Sequence, residues 1–311
     1  MHNFFEISLI VPEAYHGLRV DSLLAKCYPQ YSRNQWIEWL KAGLIYHQGK
    51  ALCPKNKCFT EQLIEGRVPI DTPQTEAIAQ EIPLDIIYED EHLLVINKPT
   101  GLTVHPGAGQ KDMTLMNALL HHQESLSILP RAGIVHRLDK DTTGLMVIAK
   151  TNTCYLALIQ MMQNREIQRE YLALVHGQLI SGGHIHTHFG RHPKQRLKMA
   201  VLKQGREAIT HYQIEEAFKD FTLLRVRLET GRTHQIRVHL QHIGYPIIGD
   251  KLYGKNCAKT SKELALVINS FPRQALHAFS LKFTHPITHQ LLAFVANMPD
   301  DLTALIACIR L

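Results

Sequence analysis

Arg131-Ala132-Gly133-Ile134-Val135-His136-Arg137-Leu138-Asp139-Lys140-Asp141-Thr142-Thr143-Gly144 runs directly into Leu145-Met146-Val147-Ile148-Ala149. The second piece is a continuous apolar run of the kind that forms a strand buried on both faces. The first piece sets Asp139 in the turn leading into that strand, between two fixed cations, Arg137 and Lys140. Neighbouring positive charge favours the ionised carboxyl and draws its pKa down. A carboxylate held as an anion on a rigid turn suits attack or charge stabilisation better than proton donation. The same residues also fit a surface ion-pair cluster, so the decision rests on the rest of the chain.

A chain of 311 residues is long enough for roughly two domains, each with its own core. Its 45% hydrophobic and 20% charged content is ordinary for a soluble globular protein. No apolar run reaches the ~20 residues of a membrane span. The opening Met1-His2-Asn3-Phe4-Phe5-Glu6 lacks the basic and apolar regions of a secretion signal. A cytoplasmic protein with no membrane partner is expected. The six cysteines are scattered without a Cys-x-x-Cys pair, which favours free thiols over disulfides or a structural zinc.

Charge is unevenly placed. Residues 72–130 carry 2 basic and 8 acidic side chains, whereas residues 131–255 carry 19 and 10, a net +9 around Asp139. Such an excess suits a polyanionic partner. Residues 1–71 are nearly balanced, with 8 basic and 7 acidic groups, and read as a small module. A short helix is expected over Asp21–Cys27. A second begins at Ser32, with Gln35 completing a capping box, Trp36, Ile37 and Leu40 on its apolar face, and Gly43 as its stop. A strand at Leu44-Ile45-Tyr46, a turn at Gln48-Gly49 and a strand near residues 67–70 complete it. Arg19, Arg33, Lys41, Lys50, Lys55 and Lys57 spread positive charge over the module, with Arg33 and Lys50 as candidate contacts to a polyanion.

Residues 72–81 lack periodicity and read as a linker, leaving 82–311 as the larger domain. Its strands include Leu93-Leu94-Val95-Ile96-Asn97, closed by Lys98-Pro99, and the alternating segment from Phe221 to Glu229. Thr233 to Ile243 has helical spacing, with Ile236, Leu240 and Ile243 on one stripe. The expected class is α+β with a mixed, largely antiparallel sheet.

Several familiar signatures fail. Gly43 to Lys50 has the wrong spacing for a phosphate loop and Ala51 where a hydroxyl should bind magnesium. Gly107-Ala108-Gly109 lacks the third glycine of a dinucleotide loop, and no Gly-x-Ser-x-Gly elbow occurs. His184, His186 and His188 alternate on one strand face, but no neighbouring carboxylate or cysteine joins them, so no metal is expected. Two constellations remain. Thr230-Gly231-Arg232-Thr233-His234-Gln235-Ile236-Arg237 sets an arginine beside an apolar side chain, suited to an anion next to a flat ring. Arg169-Glu170-Tyr171 places an aromatic ring near the head of a strand, where it could stack on a base or simply fill the core.

His136-Arg137-Leu138-Asp139-Lys140-Asp141-Thr142-Thr143-Gly144 and Gly231-Arg232-Thr233-His234-Gln235-Ile236-Arg237 resemble the two signature blocks of the RluA/RluD pseudouridine synthases. Similar blocks continue through Asn97-Lys98-Pro99, Val104-His105-Pro106-Gly107, Gly249-Asp250 with Tyr253-Gly254, and Leu276-His277-Ala278, covering roughly residues 82–299. The N-terminal module resembles an S4 RNA-binding domain, and the chain looks most like the RluD type. The resemblance implies a pseudouridine synthase acting on large-subunit ribosomal RNA. Within the class, transfer RNA or another ribosomal site is the alternative; outside it, a catalytically idle assembly factor. It further implies that Asp139 is nucleophile or base, that Tyr171 stacks on the uracil, and that Arg237 pairs with Asp139. Ile236 would pack near the ring and Arg137 would displace the base. His136, Lys140 and Arg232 would contact phosphate. An isomerisation that retains its base needs no second carboxylate, metal or redox cofactor. A monomer is expected.

Overall fold

The structure is a computed structural model that describes residues 4–28, 31, 33–69, 78–107, 110–195, 197–254 and 260–310. Internal contacts divide the chain into two units, Met1–Thr72 and Pro73–Leu311.

In the first unit, β1 (Phe4–Ile10) precedes two helices, α1 (Val20–Cys27) and α2 (Arg33–Lys41). Three strands follow: β2 (Ile45–His47), β3 (Lys50–Ala51) and β4 (Leu63–Pro69), giving a sheet of order β1-β4-β2-β3. Gln48 and Gly49 both have positive φ, as a two-residue hairpin turn between β2 and β3 demands. The buried face of α2 is Trp36, Trp39 and Leu40, so Trp39 takes the inward position expected of Ile37, which is only half-buried. Ser32, the expected cap, lies outside the described residues. Fully buried Asp21 is gripped by Arg19 at 2.8 Å and Arg33 at 2.9 Å. Burial alone would raise its pKa, and the two guanidiniums more than reverse that. Arg33 is therefore committed to an internal carboxylate rather than free, whereas Lys50 is exposed.

The second unit begins with β5 (Ile86–Glu89), β6 (Leu93–Lys98) and α3 (Leu115–His122). The expected linker ends early. Residues 72–77 lie outside the described residues, but Ile78 and Gln80 already hydrogen-bond Asn117 in α3. Next come β7 (Thr143–Ala149), α4 (Asn152–Gln163) and β8 (Gln168–His176). The chain continues with β9 (Gly183–Arg191), β10 (Met199–Leu202), β11 (Arg206–Ala217) and β12 (Phe221–Leu228). It closes with α5 (Gln235–His242), α6 (Lys262–Ser270), β13 (Leu276–Thr284), β14 (Leu291–Val295) and α7 (Asp300–Arg310).

Ten strands form one sheet, ordered β10-β9-β11-β12-β8-β13-β7-β6-β5, with β14 also on β13. The β13–β7 pair is parallel and the other pairings are antiparallel, the mixed α+β arrangement expected. Every residue of β7 is buried. Its period of two explains how: Met146 and Ile148 join the core containing α3 and α7, while Leu145, Val147 and Ala149 join the core containing α4. Gly144 is obligatory here. Its φ is +114°, and a Cβ would meet the Ala278 carbonyl oxygen at 2.2 Å. No helix among the described residues is long and apolar enough to cross a membrane.

Candidate active site

The turn before β7 is braced from several sides. Thr142 N–H donates to the Asp139 carbonyl at 3.1 Å. Gln274 holds the Thr142 hydroxyl at 3.0 Å, and Thr143 hydrogen-bonds His277 at 2.9 Å. Beneath the turn, the fully buried Lys98 donates to the carbonyls of Pro99, Leu102 and Lys140 at 2.7, 2.9 and 2.9 Å. Burial pushes this lysine down to about 7, partly opposed by the charges of Asp141 and Asp139. Lys98→Met would leave three inward carbonyls without their donor. An unfolding free energy lower by about 2–4 kcal/mol is expected in urea titrations, since each orphaned buried acceptor costs about 1–3 kcal/mol before relaxation. A loss below about 0.5 kcal/mol, ordinary for a surface substitution, would show that the ammonium does not hold this turn.

Asp139 is 16% exposed at its side chain and accepts a hydrogen bond from Arg237 Nη1 at 2.9 Å. Arg137 and Lys140, its neighbours in sequence, point outward, and neither forms an ion pair with it among the described residues. Arg237 is shared. Its Nε and Nη2 donate to the two carboxylate oxygens of buried Asp250 at 2.7 and 2.9 Å. Burial alone would lower the Arg237 pKa, but Asp250 and Asp139 together raise it above its ordinary value. Asp250 also accepts the backbone N–H groups of Leu252 and Tyr253. Its pKa stays below the usual carboxyl range because the Arg237 bonds and charge outweigh burial.

His234 is the other polar ring near Asp139, with Nε2 at 4.0 Å from Oδ1. Its Nδ1 lies 2.8 Å from the Tyr253 hydroxyl, which also accepts the Met199 N–H at 2.7 Å. That network assigns the tyrosine proton to Nδ1 and leaves an Nε2–H facing Asp139. Burial keeps the imidazole pKa below normal despite the nearby carboxylate, so the ring is neutral at pH 7.

The helix carrying Arg237 starts at Gln235, two residues later than its spacing suggests. The Gln235 side chain accepts from Arg232 N–H and the Thr230 hydroxyl and donates to the Ile209 carbonyl, fastening the loop rather than a first helical turn. His234 consequently sits at φ 60°, in the left-handed region.

An open cleft of about 1190 Å³ runs past Asp139, with Tyr171 in its wall. Arg131, Arg137, Arg165, Arg169 and Arg232 line it with Lys111, against the carboxylates of Asp139, Glu207 and Glu229. A smaller recess adjoins Asp139, Tyr171, His234, Ile236 and Arg237. Tyr171, 5% exposed, belongs to the core and to the wall of both spaces, and burial raises its phenol pKa. His136 lines the large cleft, while its Nε2 accepts the Val147 N–H at 3.0 Å. The Lys140 side chain lies outside both linings. Arg33 and Lys50 belong to the first unit.

Lys98, His234, Asp250 and Tyr253 are the functional neighbours that sequence patterning misses. His234 falls inside a signature block and the other three inside the further similar blocks, but their roles depend on contacts across the fold. Among the described residues no group of His, Cys, Asp and Glu is placed to hold a metal ion, and His186 pairs with Glu207 instead.

Residues 92–242 match the RNA pseudouridylate synthase family. The ribosomal large subunit pseudouridine synthase D of Xylella fastidiosa is 45% identical over 309 residues, covering 98% of this chain and 93% of that protein. Its counterpart from Pseudomonas aeruginosa is 44% identical over 315 residues, covering 100% and 98%. Among solved structures, human RNA pseudouridylate synthase domain containing 4 superposes with a TM-score of 0.56. It is 25% identical and covers 72% of this chain and 92% of that one.

Proposed function

The chain belongs to the RNA pseudouridylate synthase family, and on that footing we propose that it isomerises uridines of large-subunit ribosomal RNA to pseudouridine. The observation that carries the site assignment is the Asp139–Arg237 ion pair at 2.9 Å, set in a cationic cleft beside Tyr171. In this reaction the C1′–N1 bond breaks and the same uracil returns through C5. C5 loses a proton and N1 gains one, so nothing enters or leaves. One ionised carboxylate suffices, as nucleophile or base, and no metal or redox cofactor is required.

On this reading Arg237 orients the Asp139 carboxylate through its 2.9 Å hydrogen bond, and Asp250 keeps Arg237 in place. The target base has to leave its stack, at a cost of a few kcal/mol. Stacking on Tyr171, apolar contact with Ile236 and the arginines of the cleft offset that cost. Arg137, which is exposed and lines the cleft, enters the RNA where the base has left. His136, Lys140 and Arg232 contact the backbone. The first unit adds RNA affinity in the manner of an S4 domain through Lys50 and the exposed side of Arg33.

The relatives similar along the whole chain are named for the large ribosomal subunit, which favours that substrate over transfer RNA. Incubation with unmodified 23S ribosomal RNA and transfer RNA, followed by pseudouridine mapping at nucleotide resolution, is expected to show product in the ribosomal RNA. Product in transfer RNA alone would refute the substrate. Tight binding with no product in either would refute the enzyme.

A further inference from the structure

Three buried side-chain nitrogens without a protein partner belong to residues that line the same cleft: His105 Nε2, His136 Nδ1 and Arg169 Nε. Buried polar atoms are nearly always paired, so their clustering in one place points to a ligand. Arg169 is the most telling of the three. It is only 7% exposed, yet among the described residues its guanidinium makes no hydrogen bond or ion pair.

The available carboxylates are already taken. Asp139 is held by Arg237, and Glu207 and Glu229 are both bound by Arg165. Glu170, next in sequence, pairs with Arg225. A buried cation with no counter-ion is costly and is normally kept only where an anion arrives. Gly231 shapes the approach, because a Cβ there would come within 3.1 Å of Arg169 Nη1.

His136 supplies a second donor. Its Nε2 accepts the Val147 N–H, so the ring proton sits on Nδ1. Burial and the nearby Arg169 charge push this imidazole down to about 3, leaving a neutral N–H donor at pH 7. Arg169 and Tyr171 lie two apart on β8 and share one face, about 6.6 Å apart along the strand. A single nucleotide can span that distance.

We infer that Arg169 and His136 form a subsite for one phosphodiester of the RNA strand, at a linkage flanking the nucleotide stacked on Tyr171. This rests on the RNA reading above and names the contact that fixes the strand in the cleft. A uracil carbonyl would satisfy the donors but would leave the guanidinium charge unbalanced. A phosphate does both, and the planar fork of arginine suits it.

The test is equilibrium binding of the full chain to a ribosomal RNA fragment containing the target uridine, across a range of salt. Arg169→Met is expected to weaken binding about 10- to 100-fold and to flatten the log–log salt slope by about one. Arg169→Lys should restore the slope. Single methylphosphonate substitutions should weaken the wild type most at one linkage near the target, and Arg169→Met should be insensitive at that linkage. Without RNA, Arg169→Met should melt at or above the wild-type temperature, because an unpaired buried charge has been removed. A lower melting temperature with an unchanged salt slope would make Arg169 a support of the fold and overturn the proposal. Inorganic phosphate competing as well as the RNA would assign the subsite to the free anion, which also overturns it. If the wild type makes pseudouridine while these binding effects are absent, the subsite alone falls.

Discussion

Asp139→Asn is expected to lower single-turnover pseudouridine formation by at least ~10⁴-fold while leaving RNA affinity unchanged or slightly tighter. The two effects separate for an electrostatic reason. On the proposed mechanism the carboxylate is the group that attacks or takes a proton, and an amide can do neither at neutral pH. Toward the RNA phosphates the same carboxylate is a like charge, so its removal weakens nothing. The fold should tolerate the change. Asparagine retains an oxygen for Arg237 Nη1, and Asp250 still holds the other side of the guanidinium. A melting shift equivalent to less than about 1 kcal/mol is expected. Residual turnover near a tenth of wild type would place the chemistry on another group.

The parts of this site that could be read from the chain are those written in local pattern. The apolar run after Gly144 becomes a strand buried on both faces, and the turn before it carries Asp139. Lys98-Pro99 ends β6 as proline requires. Local pattern misled where side chains override spacing. The helix of Arg237 begins at Gln235 because that side chain fastens the preceding loop. Arg33 resembles a free surface cation, but buried Asp21 claims it. Least legible were the long-range pairings. Arg237 lies 98 positions from Asp139, and Asp250 another 13 beyond it. No periodicity encodes such contacts; only the folding of β7, α5 and the segment after it brings them together. Lys98 is similar, since a lysine at a strand end gives no sign that three carbonyls will surround it.

Arg237→Met is expected to be the other severe change, and a paired substitution separates its two causes. Removing the guanidinium leaves Asp250, whose side chain has no exposure, as a buried carboxylate with only two backbone donors. Breaking a buried pair in this way costs about 3–5 kcal/mol. Turnover should fall about 10²- to 10³-fold through loss of the guanidinium that positions the Asp139 carboxylate, and by more than RNA binding falls. Adding Asp250→Asn removes the stranded charge while its amide oxygen still accepts from Leu252 and Tyr253. The double variant should therefore regain stability without regaining turnover. The acid limb of the stability curve gives an independent reading. The folded pKa of Asp250 is depressed, so its contribution is complete above the unfolded value of about 3.9 and is lost as pH falls through the folded value. That limb should shrink in Arg237→Met. Turnover recovering along with stability would make Arg237 a support for Asp250 alone. Equal losses of binding and turnover would make it an RNA contact rather than the partner of Asp139.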